Sequence, residues 1–77
     1  MNTLRGGDYM RINTRNFELA VARACMTTRD IQKAGKLSNS TIKRAKTDST
    51  YDFEPLTIGK LARALGVDVE NLIEGVN

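Results

Sequence analysis

Ser38-Asn39-Ser40-Thr41-Ile42-Lys43-Arg44-Ala45-Lys46-Thr47 reads as one short helix with two unlike faces. Ile42 and Ala45, three positions apart, make a narrow apolar stripe. An advance of about 100° per residue turns Ser40, Lys43, Arg44 and Thr47 to the opposite side, with Asn39 and Lys46 on one flank. Ser38 is a good N-cap and keeps Asn39 and Ser40 at the positive end of the helix. A helix of this kind fits the major groove of DNA, where Asn pairs with adenine and Arg with guanine. The competing reading of the stretch alone is a solvated basic surface helix, so its neighbours have to decide.

Outward from this helix, one local pattern recurs five times. An apolar residue, a capping residue and a second apolar residue four places after the cap form the hydrophobic staple that opens helices. The sets are Ile12-Asn13-Phe17, Met26-Thr27-Ile31, Leu37-Ser38-Ile42, Phe53-Glu54-Ile58 and Val67-Asp68-Leu72. Thr27 with Asp30 also spells a capping box, and Pro55 stands at N1, where a missing N–H does no harm. Glu54 is the weakest cap of the five. Five starts predict five short helices: Thr14 to Ala24, burying Phe17, Ala20, Val21 and Ala24; Thr28 to Ala34, stopped by Gly35; Asn39 to Thr47; Pro55 to Leu65, burying Ile58, Leu61, Ala62 and Leu65 before Gly66; and Val69 to Glu74, ended by Gly75. No stretch alternates at period two, so no sheet is expected. Gly35, Lys36 and Leu37 alone separate the second and third helices. A turn that short makes the pair cross steeply as a helix-turn-helix, with Ala34 and Ala45 small enough for close packing.

A chain of 77 residues supports one core. The expected domain runs from residue 11 to 77, with residues 1–10 as a disordered arm because Gly6-Gly7-Asp8 carries no periodicity. No apolar run is long enough to span a bilayer and no signal peptide is visible. The single cysteine, Cys25, has no partner for an internal disulfide, which points to a reducing cytoplasm; at a helix end it reads as a small buried filler. The formal charge of +3 hides an asymmetry. Nine basic residues between Arg11 and Thr47 stand against Glu18 and Asp30, whereas six acids after Thr47 stand against Lys60 and Arg63. A basic half and an acidic half suggest one face for a polyanion and another for a different contact.

With the helix-turn-helix second and third of five, the chain resembles the lambda-repressor-like family of Cro proteins, phage repressors and XRE-type regulators. The resemblance runs from about Thr14 to Gly75. It is carried most specifically by Leu37-Ser38-Asn39-Ser40-Thr41-Ile42 and by the run Ile58-Gly59-Lys60-Leu61-Ala62-Arg63-Ala64-Leu65-Gly66-Val67-Asp68-Val69-Glu70-Asn71-Leu72-Ile73. It implies a compact all-α, five-helix DNA-binding domain that regulates transcription from an operator in double-stranded DNA, in a prokaryotic or phage setting. It assigns base reading to Asn39, Ser40, Lys43 and Arg44. Phosphate contact falls to Thr27, Thr28, Arg29, Lys36, Lys46 and Thr47. In relatives the C-terminal end often forms a two-fold contact, which here puts Val69, Leu72, Ile73 and Val76 in a homodimer interface. Three positions depart from the pattern. Lys36 stands where the turn glycine is usual and Asp48 where a glycine follows the recognition helix. Val21 and Lys46 replace a buried Arg–Glu pair that many relatives carry.

Other functions fare worse on the residues. Without histidine there is neither a His-based triad nor a His-containing metal site, and one cysteine makes no zinc knuckle. Neither an enzyme nor a cofactor or metal site is expected, and a chain this short offers no apparent effector site for a small molecule. The alternative to a DNA-binding regulator is a protein-interaction module, or an antitoxin, that keeps the same fold. An interaction module should lack the basic helix face, which is intact here.

Overall fold

Local capping chemistry sets the helix boundaries. The structure, a computed structural model, describes residues 9–74. It contains four α-helices: α1 (Thr14–Ala24), α2 (Thr28–Gly35), α3 (Asn39–Thr47) and α4 (Pro55–Leu65), followed by a 3₁₀ turn at Val69–Asn71. Asn13 accepts the Asn16 N–H at 3.0 Å, and Ser38 accepts the Thr41 N–H at 3.2 Å. Thr27 and Asp30 close the reciprocal capping box at 3.1 and 3.0 Å. Glu54 makes no side-chain cap; Pro55 opens α4 in its place.

Each of the five staples delivers its second apolar residue to the core: Phe17, Ile31, Ile42, Ile58 and Leu72 are all fully buried. Burial of a side chain of this size contributes about 1.5–3 kcal/mol, so the residues that start the helices also hold them together. Ala20, Ala45, Leu61, Ala62 and Leu65 complete the helical part of the core, with Ile12 and Phe53 from the connecting segments. α2 packs on both α3 and α4, and α1 packs on α3.

No strand is present among the described residues, but two isolated antiparallel bridges close the molecule, Met10 with Phe53 and Ile12 with Ile73. Met10 and Phe53 exchange both backbone hydrogen bonds, at 2.9 and 2.7 Å. Asn13 donates to the Leu72 carbonyl at 2.7 Å, and Glu74 to the Arg11 carbonyl at 2.8 Å. Met10, expected in a free arm, is therefore tied into the fold, while residues 1–8 lie outside the described residues.

The same pairing corrects the fifth helix. In place of an α-helix over Val69 to Glu74 there is a single 3₁₀ turn, because residues 72–74 leave the helical path to pair with residues 11–13. Asp68 adds no side-chain cap. Leu72 is consequently a core residue and is not available as a dimer contact. Val69 and Ile73 are half-buried against the core, and Val76 lies outside the described residues.

Two helix ends also differ from expectation. Cys25 is exposed: it caps α1 in the left-handed conformation at φ 55°, its N–H on the Ala22 and Val21 carbonyls. Gly35 is the last residue of α2 and is buried, whereas Ala34, expected in the close packing of the helix pair, is exposed. A Cβ on Gly35 would lie 2.7 Å from Leu37 Cδ1 and 3.4 Å from the Lys60 carbonyl oxygen. A side chain there would have to displace Leu37, and the left-handed position falls to Lys36 at φ 54°. Val21 and Ala24, expected inside α1's buried face, are half-buried.

Candidate nucleic-acid interface

α3 turns Ile42 and Ala45 into the core with no exposed surface and leaves Asn39, Ser40, Lys43, Arg44 and Thr47 exposed. That is the division its sequence pattern demands. Among the described residues the one ion pair is Arg11 with Asp52, at 3.1 Å and more than half exposed. Arg29, Lys33, Lys36, Lys43 and Arg44 are therefore exposed charges on α2, α3 and the turn between them, without ion-pair partners among the described residues.

The exposed face divides into two flanks. On one, Lys46 is half-buried and donates its Nζ to Thr28 Oγ1 at 2.9 Å, joining α3 to the first turn of α2. Thr28, Asn39, Lys43 and Lys46 line a shallow recess of about 120 Å³. Two ammonium groups, a hydroxyl and a carboxamide around a space of that size suit a phosphate oxygen. The sequence separated these residues into base readers and phosphate contacts; the fold brings Asn39 and Lys43 together with Thr28 and Lys46.

On the other flank, the Arg44 guanidinium carbon lies 4.5 Å from the centroid of the Tyr51 ring, a cation–π contact. Tyr51 meets Phe53 edge-on, with centroids 4.7 Å apart and planes at 71°. Sequence reasoning missed Tyr51. The signal for it is a pair of aromatic residues, Tyr51 and Phe53, in a loop otherwise acidic and polar. Asp48, beside Arg44, ends α3 in an ordinary extended conformation at φ −112°, so no glycine is needed there. Its carboxylate accepts the Thr50 hydroxyl at 2.7 Å and the Thr50 N–H at 3.0 Å; these bonds, and more weakly the Arg44 charge, hold its pKa below the ordinary value.

Several hydroxyls expected to meet DNA already have local partners. Ser40 Oγ lies 3.3 Å from the capping Ser38 Oγ, and Thr47 Oγ1 donates to the Lys43 carbonyl at 2.9 Å. Thr27 donates its N–H to Asp30 Oδ2, and its hydroxyl accepts from the Asp30 N–H. Thr27, expected on a phosphate, thus has both its N–H and its hydroxyl engaged in the capping box. Asp30, its pKa lowered first by the Thr27 N–H, holds a negative charge in the first turn of α2. Thr28 is the threonine of the pair that faces the recess.

Among the described residues no helix is long and apolar enough to cross a membrane, and no cluster of three or more His, Cys, Asp or Glu is placed to hold a metal. No protein-family model, curated protein or solved structure matches the chain.

Proposed function

We propose that this chain is a sequence-specific double-stranded-DNA-binding transcriptional regulator of the lambda-repressor-like kind. α2 and α3 form its helix-turn-helix, and α3 enters the major groove. The observation that carries the reading is the outward face of α3, where Asn39, Ser40, Lys43 and Arg44 are exposed beside the recess that Lys46 and Thr28 build at the start of α2. A recognition helix needs side chains that reach base edges and a second set that fixes its register on the phosphates. Arg44 and Ser40 fit the first need, the recess fits the second, and Asn39 and Lys43 stand between them. Arg29 and Lys36 add exposed charge on the same pair of helices. As a homodimer, with Val69 and Ile73 left for the two-fold contact, it prefers half-sites whose centres lie about one helical turn apart.

Titration against duplex DNA over a range of salt concentrations tests this. If about five basic groups meet phosphates, log K against log[salt] slopes at roughly −4 to −5. A slope near zero, together with tight binding to a protein partner, favours the interaction-module alternative.

A further inference from the structure

Arg44 is the one exposed cation of α3 whose head group rests on an aromatic ring, and the ring is itself braced. Tyr51 is half-buried and leans on Phe53. Phe53 is only 2 % exposed and is locked to Met10 by two backbone hydrogen bonds. A support therefore runs from the closed end of the fold, through two aromatic rings, to a side chain that would otherwise sample many rotamers in solvent.

We propose that Tyr51 is a positioning residue for base recognition: its ring holds the Arg44 guanidinium in place to read a base edge in the major groove. The inference rests on the DNA-binding reading above. The physical reason is that one ring does not use up the group. A guanidinium has five N–H donors, and bidentate hydrogen bonds to guanine need two of them. An Arg whose head group rests 4.5 Å from a ring centroid keeps donors for a base and has less conformational freedom to lose on binding. Tyr51 touches no base in this arrangement and acts only through Arg44. Its removal therefore costs selectivity at a single base pair and leaves the phosphate contacts unchanged.

The experiment uses the full chain and a duplex selected by the wild-type protein from a random-sequence pool, with a scrambled duplex as control. Tyr51→Leu keeps an apolar contact for Phe53 and removes the π face. It is expected to lose about three- to fivefold on the selected duplex, the size of a solvent-facing cation–π contact. Binding to the scrambled duplex and the salt slope stay as in wild type. Tyr51→Phe, which keeps the ring, stays close to wild type, and Tyr51→Leu adds nothing to Arg44→Ala in a double-mutant cycle. NMR gives a second readout that does not depend on either substitution: the Arg44 side-chain protons are shifted by the Tyr51 ring and remain so in the complex.

Equal losses on both duplexes, additive effects in the cycle, or a ring shift that vanishes on binding would each overturn the positioning role. A vanishing shift would mean that the ring only stores Arg44 away from DNA. If the wild-type protein selects no duplex, the DNA-binding reading falls and takes this inference with it. If it selects one and Tyr51→Leu remains equally selective, the inference falls alone.

Discussion

The two flanks of α3 hold their cations by different physics. Lys46 is fixed by a hydrogen bond across 18 residues to the first turn of α2, and it lines a recess with Thr28, Asn39 and Lys43. Arg44 is fixed by an aromatic face and stays exposed. An ammonium is a compact point charge with three donors, so it holds an anion without demanding a particular orientation. A guanidinium is a planar fork, and its value depends on how the plane is turned. The fold supplies each with the support it needs: a polar recess for the lysine and a flat ring for the arginine. On the proposed function, one flank grips the backbone and the other reads sequence.

Arg44→Ala should break this division most visibly. It is expected to cost roughly 1–3 kcal/mol on the preferred duplex and to relax preference at one position, a guanine, while changing a scrambled duplex much less. Arg44 is exposed and makes no ion pair, so melting is expected to shift little, on the order of 0.5 kcal/mol. Affinity on the two duplexes, measured with a parallel thermal melt, checks both statements. An equal loss on both duplexes would make Arg44 a second backbone contact, and base reading would then rest on Asn39 and Ser40.

Lys46→Ala is the converse case. All sequences should weaken by a similar factor, and the salt slope should shrink by about 1. The substitution also removes the bond to Thr28, at a stability cost of about 0.5–1.5 kcal/mol. The comparison is read from the ratio of affinities on the selected and scrambled duplexes, which Lys46→Ala leaves constant and Arg44→Ala does not. A change in that ratio for Lys46→Ala would show that the recess also orients Asn39 and Lys43 toward bases.

How far these flanks were legible in the sequence follows from the range of the forces involved. The spans of α1, α3 and α4 follow from caps and staples, whose partners lie within five residues of each other. The buried stripe of α3, Ile42 and Ala45, follows from the same short-range periodicity. The Lys46–Thr28 bond and the Arg44–Tyr51 contact depend on how separate segments meet, and composition carries no sign of either. The end of the chain failed for the same reason. Val67-Asp68-Leu72 has the form of a helix start, but hydrogen bonds from residues 72–74 to residues 11–13, some 60 positions away, outweigh it. At the α2–α3 turn the residue types misled. Gly35 reads as the stop of the second helix but is its last residue, and Lys36 accepts the left-handed cap. That conformation costs a residue with a side chain about 1–2 kcal/mol, which the packing of α2 on α3 and α4 offsets.

The smallest expected effect concerns the carboxylate that stands near each flank. Asp30 completes the capping box in the first turn of α2, the turn that also carries Thr28 of the recess, its pKa lowered chiefly by the Thr27 N–H, then the Thr27 hydroxyl, with Lys33 adding a little. Asp48 ends α3 beside Arg44, its pKa lowered chiefly by the Thr50 hydroxyl and N–H. A folded-state pKa below the ordinary value of 3.8 means that the unfolded chain binds protons more readily. Stability from each group is therefore fully present above that value and is lost as pH falls through the lowered folded one. Melting temperature is expected to be flat with respect to these two groups near neutral pH and to drop in acid. Asp30→Asn should flatten part of that acid limb and lower the plateau, since an amide is a weaker partner for the Thr27 N–H. Asp48→Asn should do the same through Thr50. Asp30 is exposed and Asp48 half-buried at the surface, so each change is small, and the two flanks differ in what else responds. Losing the Asp30 charge in the first turn of α2, two residues from Thr28, should strengthen binding to every duplex slightly, because a charge of the same sign as phosphate is removed. Losing the Asp48 charge acts next to Arg44, so any gain there should be larger on the preferred duplex than on the scrambled one. Thermal melts at several pH values, with affinities of the two variants on both duplexes, test the assignment. A rise in stability on acidification through this window would mean that neither carboxylate bond holds in the folded protein. Identical affinity profiles for the two variants would erase the distinction between a gripping flank and a reading flank.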